Sequence, residues 1–259
     1  MPEFFTEKFG IRGNDMFNQR RIFAALAALV LMIAAVPVFA ANGGADKKMK
    51  RARRSISGTP LNLAILVQDD LVPRVGNEID ATREFIRALP AGSRVMIGYL
   101  RSGSLQVRQE FTTDLEQAGR ALRIPVGNVN AAPFNPYVEV IEALRHFEAE
   151  GQNRNAVLLI SDGLDISRGF DSFSTINSID MERAVREAKR RNVTVYSFYA
   201  PSVGLTSYNR QAVSFGQSAL NRISNETGGR AFFQGTSFVS FNPYFDRLSR
   251  TLDGAATAY

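Results

Sequence analysis

The side chains best suited to chemistry in this chain are carboxylates that follow two apolar segments. Residues 61–67 lead into Asp69 and Asp70, and residues 156–160 lead into Asp162. Short apolar segments bounded by turn residues are typical of buried parallel strands, and ligands bind at the carboxyl ends of such strands in open α/β sheets. Two strands that deliver carboxylates to one edge therefore predict an electronegative site, which suits a hard cation or a basic group of a partner.

The elements that must position these carboxylates alternate between strand and helix. Residues 94–100 and 105–111 alternate like half-buried strands around a Ser-Gly hairpin signal. Apolar periodicity and capping residues predict helices between the other strands, as at Asn135-Pro136. The order predicts an α/β fold: a Rossmann-like, doubly wound, mostly parallel six-stranded sheet with helices on both faces and one antiparallel edge strand.

Composition excludes several classes of function. The chain has 259 residues, 45% of them hydrophobic, which suits one mid-sized domain with extensions. The net charge of +6 arises from one tract, so it gives little support for nucleic-acid binding. The six basic residues of that tract are Lys47, Lys48, Lys50, Arg51, Arg53 and Arg54. Because the chain has no cysteine, a disulfide, a thiolate nucleophile and a cysteine zinc site are all excluded.

The N-terminal segment has the layout of a secretory signal. Arg20-Arg21 precede an apolar stretch at 22–40, and small residues around Ala40 suit a signal peptidase. We expect cleavage after Ala40 and an extracytoplasmic domain, periplasmic or secreted, with Met16 as an alternative start. An uncleaved inner-membrane anchor is the other interpretation, because the stretch is close to the ~20 residues that span a bilayer.

The predicted domain organisation follows from these boundaries. We expect a signal peptide or anchor at 1–40, a disordered basic linker at 41–59, an α/β domain at 60–252 and a short tail at 253–259. The basic tract in the linker is a candidate for contact with anionic lipid at a membrane surface.

The sequence lacks the parts of the common hydrolytic and phosphate-binding sites. His146 is the only histidine, and we expect it on a solvated helix face. There is no Gly-x-Ser-x-Gly elbow and no Gly-x-x-x-x-Gly-Lys loop. A histidine-dependent triad is therefore excluded, and a non-catalytic function is favoured.

Three pieces of residues 60–252 carry a resemblance to a known family. They are the apolar first strand with its acidic loop, the sequence LLISDG at 158–163, and TGGR at 227–230. Together, in this order, they resemble the von Willebrand factor A-type (vWA) domain, and more closely its bacterial exported relatives. The resemblance implies a Rossmann-like domain that binds other proteins, often through Mg²⁺ in a metal-ion-dependent adhesion site.

The chain departs from that family at the implied metal ligands. Where the family has Asp-x-Ser-x-Ser, this sequence has Gln68, Asp70 and Val72, and the loop at 131–135 lacks the family's threonine. Only Asp162 matches. The resemblance thus implies a degraded metal site whose remaining candidate ligands are Gln68, Asp70 and Asp162, with Mg²⁺ bound weakly or not at all. A metal-assisted hydrolase using Asp70 and Asp162, and a structural domain with a lost site, are the alternatives.

We expect a protein partner to bind at the carboxyl edge of the sheet. The loops at 168–177 and 201–209 both follow predicted strands and border the acidic site. The candidate contact residues are Asp69, Asp165, Phe170, Phe173 and Tyr208. Phe238 and Phe241 are candidates for a second, exposed aromatic patch. The sequence as a whole predicts an exported vWA-like binding or adhesion module.

Overall fold

A computed structural model of the chain describes residues 58–148, 153–170, 178–233 and 240–256. The strands are β1 (Leu61–Gln68), β2 (Arg94–Arg101), β3 (Ser104–Thr112), β4 (Arg154–Ser161), β5 (Val193–Tyr199) and β6 (Ala231–Phe232). The helices are α1 (Ile79–Arg87), α2 (Leu115–Ala121), α3 (Pro136–Leu144), α4 (Ile179–Arg190), α5 (Arg210–Glu226) and α6 (Asn242–Ala256). Short 3₁₀ turns lie at Pro73–Glu78, Val129–Ala131 and Leu205–Ser207.

Several predictions fall outside these residues and stay predictions. They concern the signal peptide or anchor, cleavage after Ala40, the basic tract, Phe173 and Phe238. Of the helices that the structure describes, none has both the length and the apolar composition to cross a bilayer.

The six strands form one sheet in the order β3-β2-β1-β4-β5-β6. β1 pairs in parallel with both β2 and β4, so the two apolar segments are adjacent central strands, as predicted. All eight residues of β1 are buried, as expected for a strand that is covered on both faces. The hairpin places β3 antiparallel at one edge, which confirms the predicted edge strand.

The edge strand β3 pairs irregularly with β2. The register shifts between Val95 and Ile97 and again between Ile97 and Gly98. Along β3, polar side chains alternate with partly buried ones, because one face of the strand packs on the domain and the other faces solvent.

Helix starts are fixed by side-chain caps at the predicted positions. The Asn135 side chain accepts a hydrogen bond from the N–H of Tyr137 at 3.2 Å, and Ser178 Oγ accepts from Met181 N–H at 3.2 Å. Helix α1 begins at Ile79, directly after a 3₁₀ turn that Pro73 opens.

Aromatic residues fill one of the two apolar layers that sandwich the sheet. The Phe198 ring packs edge-on against Phe232, Phe241, Tyr244 and Phe245. Phe241 is only 1% exposed, so its predicted place in an exposed patch is wrong. Its N–H donates to Glu78 Oε2 at 2.7 Å, which fixes the start of α6 against the core.

Helix α3 carries a buried acid, Glu139. Its side chain is fully buried, and burial raises its pKa to about 9, with a smaller contribution from Glu142. The unfolded chain releases this proton near pH 4.5. Between those values the folded state holds the extra proton, so the free energy of unfolding falls as pH rises.

Glu139→Gln should remove this dependence. We expect the free energy of unfolding of the variant to exceed that of the unmodified protein by about 2 kcal/mol at pH 6, and the gap to vanish near pH 4.5. Urea unfolding at a series of pH values measures it. Glu84→Gln, at an exposed position of α1, is the control and should leave the profile unchanged. Parallel profiles for the Glu139 variant and the unmodified protein would contradict the prediction.

Candidate functional site

The ends of β1 and β4 bring Asp70 and Asp162 into one pocket at the carboxyl edge of the sheet. The two residues are 3% and 4% exposed. Their shared location confirms the prediction that both carboxylates reach the same edge. It follows from the parallel pairing of two adjacent strands, each of which ends in an acidic loop.

The Gln68 amide joins the two strand ends. Its Oε1 accepts from Ser161 Oγ at 2.6 Å and from the N–H of Asp162 at 3.2 Å. Because a backbone N–H can only donate, this contact fixes the amide oxygen toward β4. The Nε2 group consequently faces Asp70 and donates to its Oδ1 at 2.7 Å.

Thr206 and Ser202 hold the second carboxylate, and sequence reasoning missed both. Asp162 Oδ2 accepts from the Thr206 hydroxyl at 3.2 Å, while its Oδ1 accepts from Leu164 N–H at 3.1 Å. Thr206 in turn accepts from the Ser202 N–H at 2.8 Å. The only signal in the sequence was that the polar segment 201–209 follows a strand; its individual hydroxyls carried no motif.

The pocket is electronegative and its acids are poorly solvated. Burial, followed by the charge of the neighbouring Asp162, raises the pKa of Asp70 to about 7, although the hydrogen bond from Gln68 lowers it in part. Burial likewise raises the pKa of Asp162. No lysine or arginine contributes to either shift, so within the described residues the two carboxylates face each other without a countercharge.

Asp69, in the turn that follows β1, has a different role from that of Asp70. Its side chain is fully buried, and its two oxygens accept from the Arg123 guanidinium at 2.5 and 2.8 Å. Val126 N–H donates to the same carboxylate at 3.0 Å. Arg123 also stacks over the Tyr99 ring at 3.9 Å. As a predicted partner contact Asp69 is wrong, because its carboxylate is fully buried and paired with Arg123.

The other predicted contact residues separate into buried and exposed ones. Asp165 is buried and accepts from the hydroxyls of Ser167 and Ser178, each at 2.6 Å, so it anchors the loop rather than facing a partner. Phe170 is half-buried beside the Phe215 ring. Tyr208 is 74% exposed and lines the acidic pocket, where a partner could reach it.

The pocket has a volume of about 200 Å³ and is walled mainly by carbon. Besides the acids, its lining comprises Gln68, Val129, Ala132, Pro133, Phe134, Leu164, Ile166, Ser202, Gly204, Leu205 and Tyr208. Val129 and Phe134 are more than half exposed, so they stand at its mouth while the acids lie at its base. Phe134 adopts a left-handed conformation with φ of 61°, which is strained for a bulky residue.

The residues at the base do not fit an adhesion-type magnesium site. Mg²⁺ requires near-octahedral oxygen ligation and usually keeps several waters. Here the group beside Asp70 is the Gln68 Nε2 amide, which donates hydrogen bonds and cannot bind a cation. Val72 offers no side-chain oxygen where the resemblance implies a serine. No cluster of three or more acidic, histidine or cysteine residues suited to a metal occurs within the described ranges.

Several solved structures are similar to this chain, and two of them come from Bacteroides species. BatB from Bacteroides thetaiotaomicron is similar with a TM-score of 0.53 and 13% identity, over 78% of this chain and 100% of that one. An aerotolerance-related membrane protein from Bacteroides fragilis is similar with a TM-score of 0.51 and 11% identity, over 76% and 100%. The SpRpn10 VWA domain has a TM-score of 0.45 at 13% identity, over 73% and 95%. No protein-family model and no curated protein sequence matches the chain.

The fold is of the vWA type. At these identities the likeness extends to the fold alone. What distinguishes this vWA-type domain is its site, where a neutral amide, two buried acids and a threonine hydroxyl occupy the base of a carbon-walled pocket.

Proposed function

We propose that this chain is an exported vWA-type module that binds a protein partner at the carboxyl edge of its sheet, without Mg²⁺ and without catalysis. The observation that carries the proposal is the Gln68 amide. It satisfies Ser161, the Asp162 N–H and Asp70 at once, so the base of the site is held together by protein groups alone.

The surroundings of the base support binding rather than reaction. Exposed apolar side chains at Val129, Phe134 and Tyr208 offer contact area at the mouth. The single histidine, His146, lies by Glu110 at 3.1 Å and does not line the pocket, so the pocket has no imidazole for proton transfer. The apolar segment at 22–40 supports export, and one structural neighbour is itself a membrane protein.

Magnesium should leave the stability of this protein unchanged. A site present at one hundred times its dissociation constant would add about 2.7 kcal/mol to the free energy of unfolding, or several degrees to the melting temperature. We expect no such shift between magnesium and EDTA, because Gln68 and Val72 replace the charge and the hydroxyl that the ion needs. Stoichiometric Mg²⁺ binding in calorimetry that is lost in Asp162→Asn would overturn the metal-independent site.

The location of the partner surface can be tested in the producing cells. A photo-crosslinking amino acid at position 208 should capture a protein whether or not chelator is present. The same group at position 120, exposed on α2 and outside the pocket lining, is the control and should capture none. Equal capture at both positions would place the partner elsewhere, and metal-dependent hydrolysis by the purified chain would favour the hydrolase alternative.

A further inference from the structure

We propose that the partner inserts a lysine side chain into the pocket, with its ammonium group between Asp70 and Asp162. The inference rests on the proposed function and names the chemistry that this site would recognise. It also means that a cation supplied by the partner takes the place of a bound metal ion.

Unbalanced charge is the first argument. Two carboxylates share the base of the pocket, and each is more than nine-tenths buried. The described basic residues leave both without an ion pair, whereas the neighbouring Asp69 is paired with Arg123. Asp70 Oδ1 accepts from Gln68, but its Oδ2 accepts from no other described residue. A buried carboxyl group that lines a cavity is a position for a cationic donor, which would also stabilise its ionised form.

The walls argue for an organic cation. An ammonium group on an aliphatic stem buries its carbon atoms against apolar walls and places its charge at the acidic base. Leu164, Ile166 and Leu205 supply such walls. A hydrated magnesium ion would instead have to place waters against carbon, where they find no hydrogen-bond partners.

The mouth of the pocket carries stored backbone strain. Phe134 is held with φ of 61° while its ring is more than half exposed, and its carbonyl accepts from the Ile166 N–H at 2.7 Å. Strain of this kind persists where the surrounding structure enforces it, and it is concentrated at binding sites. The Phe134 ring stands where it would cover the stem of an inserted side chain.

Hydrogen bonding favours lysine over arginine. A guanidinium prefers both oxygens of one carboxylate, in a planar fork. Both oxygens of Asp162 are already engaged, by Leu164 and Thr206, and Asp70 Oδ1 is engaged by Gln68. Each of these oxygens keeps a free lone pair, so a planar fork would have to share two oxygens that are already engaged, whereas the three donors of an ammonium group can use single lone pairs on separate carboxylates.

The test is a titration of the purified full chain with N-acetyl-lysine methylamide, followed by NMR of the backbone amides around the pocket. We expect saturable shifts at Phe134 and Gly204 with a dissociation constant of about 1 mM, the range for a ligand of this size. Asp70→Asn should weaken binding about tenfold, because it removes one charge while keeping an acceptor for Gln68. Asp80→Asn, on the exposed start of α1, is the matched control and should bind as the unmodified protein does.

Two further ligands make the result decisive. The norleucine analogue keeps the aliphatic stem without the charge, and we expect its titration not to saturate. The arginine analogue keeps the charge on a planar head group, and we expect it to bind more weakly than the lysine analogue. Binding of norleucine with equal affinity, or an unchanged affinity in Asp70→Asn, would overturn the lysine proposal. Neither result would change the outcome of the magnesium and crosslinking measurements, so the proposed function is tested independently of the lysine proposal. Thermal unfolding of each variant confirms that it is folded.

Discussion

Gly216→Ala is expected to prevent folding or to lower the free energy of unfolding by more than about 3 kcal/mol, above the usual cost of overpacking. Gly216 lies inside α5, where the helix crosses the loop after β4. A Cβ atom there would stand 2.0 Å from the Asp162 carbonyl oxygen and 3.1 Å from its carbon. The opposing Gly163 has φ of +76° and no more room, since its own Cβ would lie 2.4 Å from the Gly216 carbonyl oxygen. At both positions the nearest atom is a backbone oxygen, which cannot move aside as the end of a side chain can.

The same substitution in a neighbouring helix provides the control. Gly119 lies in α2, and its added Cβ would meet Arg83 Cγ at an ordinary 3.7 Å. Alanine is favoured over glycine in a helix, so Gly119→Ala should stabilise the protein by about 0.5–1 kcal/mol. Urea unfolding of both variants gives the comparison. If the two alanines changed stability by similar amounts, close packing of α5 on the Asp162 loop would not be what holds the site in place.

Arg123→Met should have the next largest effect, a loss of about 3–5 kcal/mol in the free energy of unfolding. Methionine keeps much of the side chain's bulk but leaves the fully buried Asp69 without its bidentate partner. Arg101, whose nearest nitrogen lies 3.5 Å from the carboxylate, offsets only part of the loss. The segment after Arg123 would then be held to the turn after β1 by backbone donors such as Val126 N–H, which binds the same acid.

An exposed pair of the same chemistry isolates the effect of burial. Arg87 makes a bidentate contact with Glu116, at 2.7 and 3.0 Å, on the surface between α1 and α2. Arg87→Met should lower the free energy of unfolding far less than Arg123→Met does, because solvent screens the charges in the folded protein and hydrates them equally well when they are separated. Chemical denaturation would contradict the interpretation if the two substitutions were equally costly.

The parts of this fold that the sequence predicts are those governed by local patterns. Short, mostly apolar segments bounded by turn residues are typical of strands that are covered on both faces, which is why β1 and β4 were predicted together at the centre of the sheet. Capping residues such as Asn135 and Ser178 fixed helix starts within a residue or two. With both strands in parallel, the meeting of Asp70 and Asp162 followed from topology alone.

What the sequence did not predict depends on contacts between distant segments. Asp69 and Asp70 are adjacent acids with the same local pattern, yet only the position of Arg123, 54 residues away, decides which is neutralised. Phe241 was assigned to the surface because its partner Glu78 lies 163 residues away in the chain. Thr206 reaches Asp162 only after β4 and β5 are paired, so its role has no signature in spacing.

The irregular edge strand β3 affects the tendency of the protein to aggregate in concentrated solution. An edge strand is an open template on which a second chain can add, and repeated addition leads to aggregates. In β3 the exposed side chains of Gln106, Arg108 and Glu110 alternate along the strand, and the register with β2 shifts twice near its middle. An incoming strand would have to accommodate charges and follow a distorted ladder. This edge strand is therefore a poor template for the addition of a second chain.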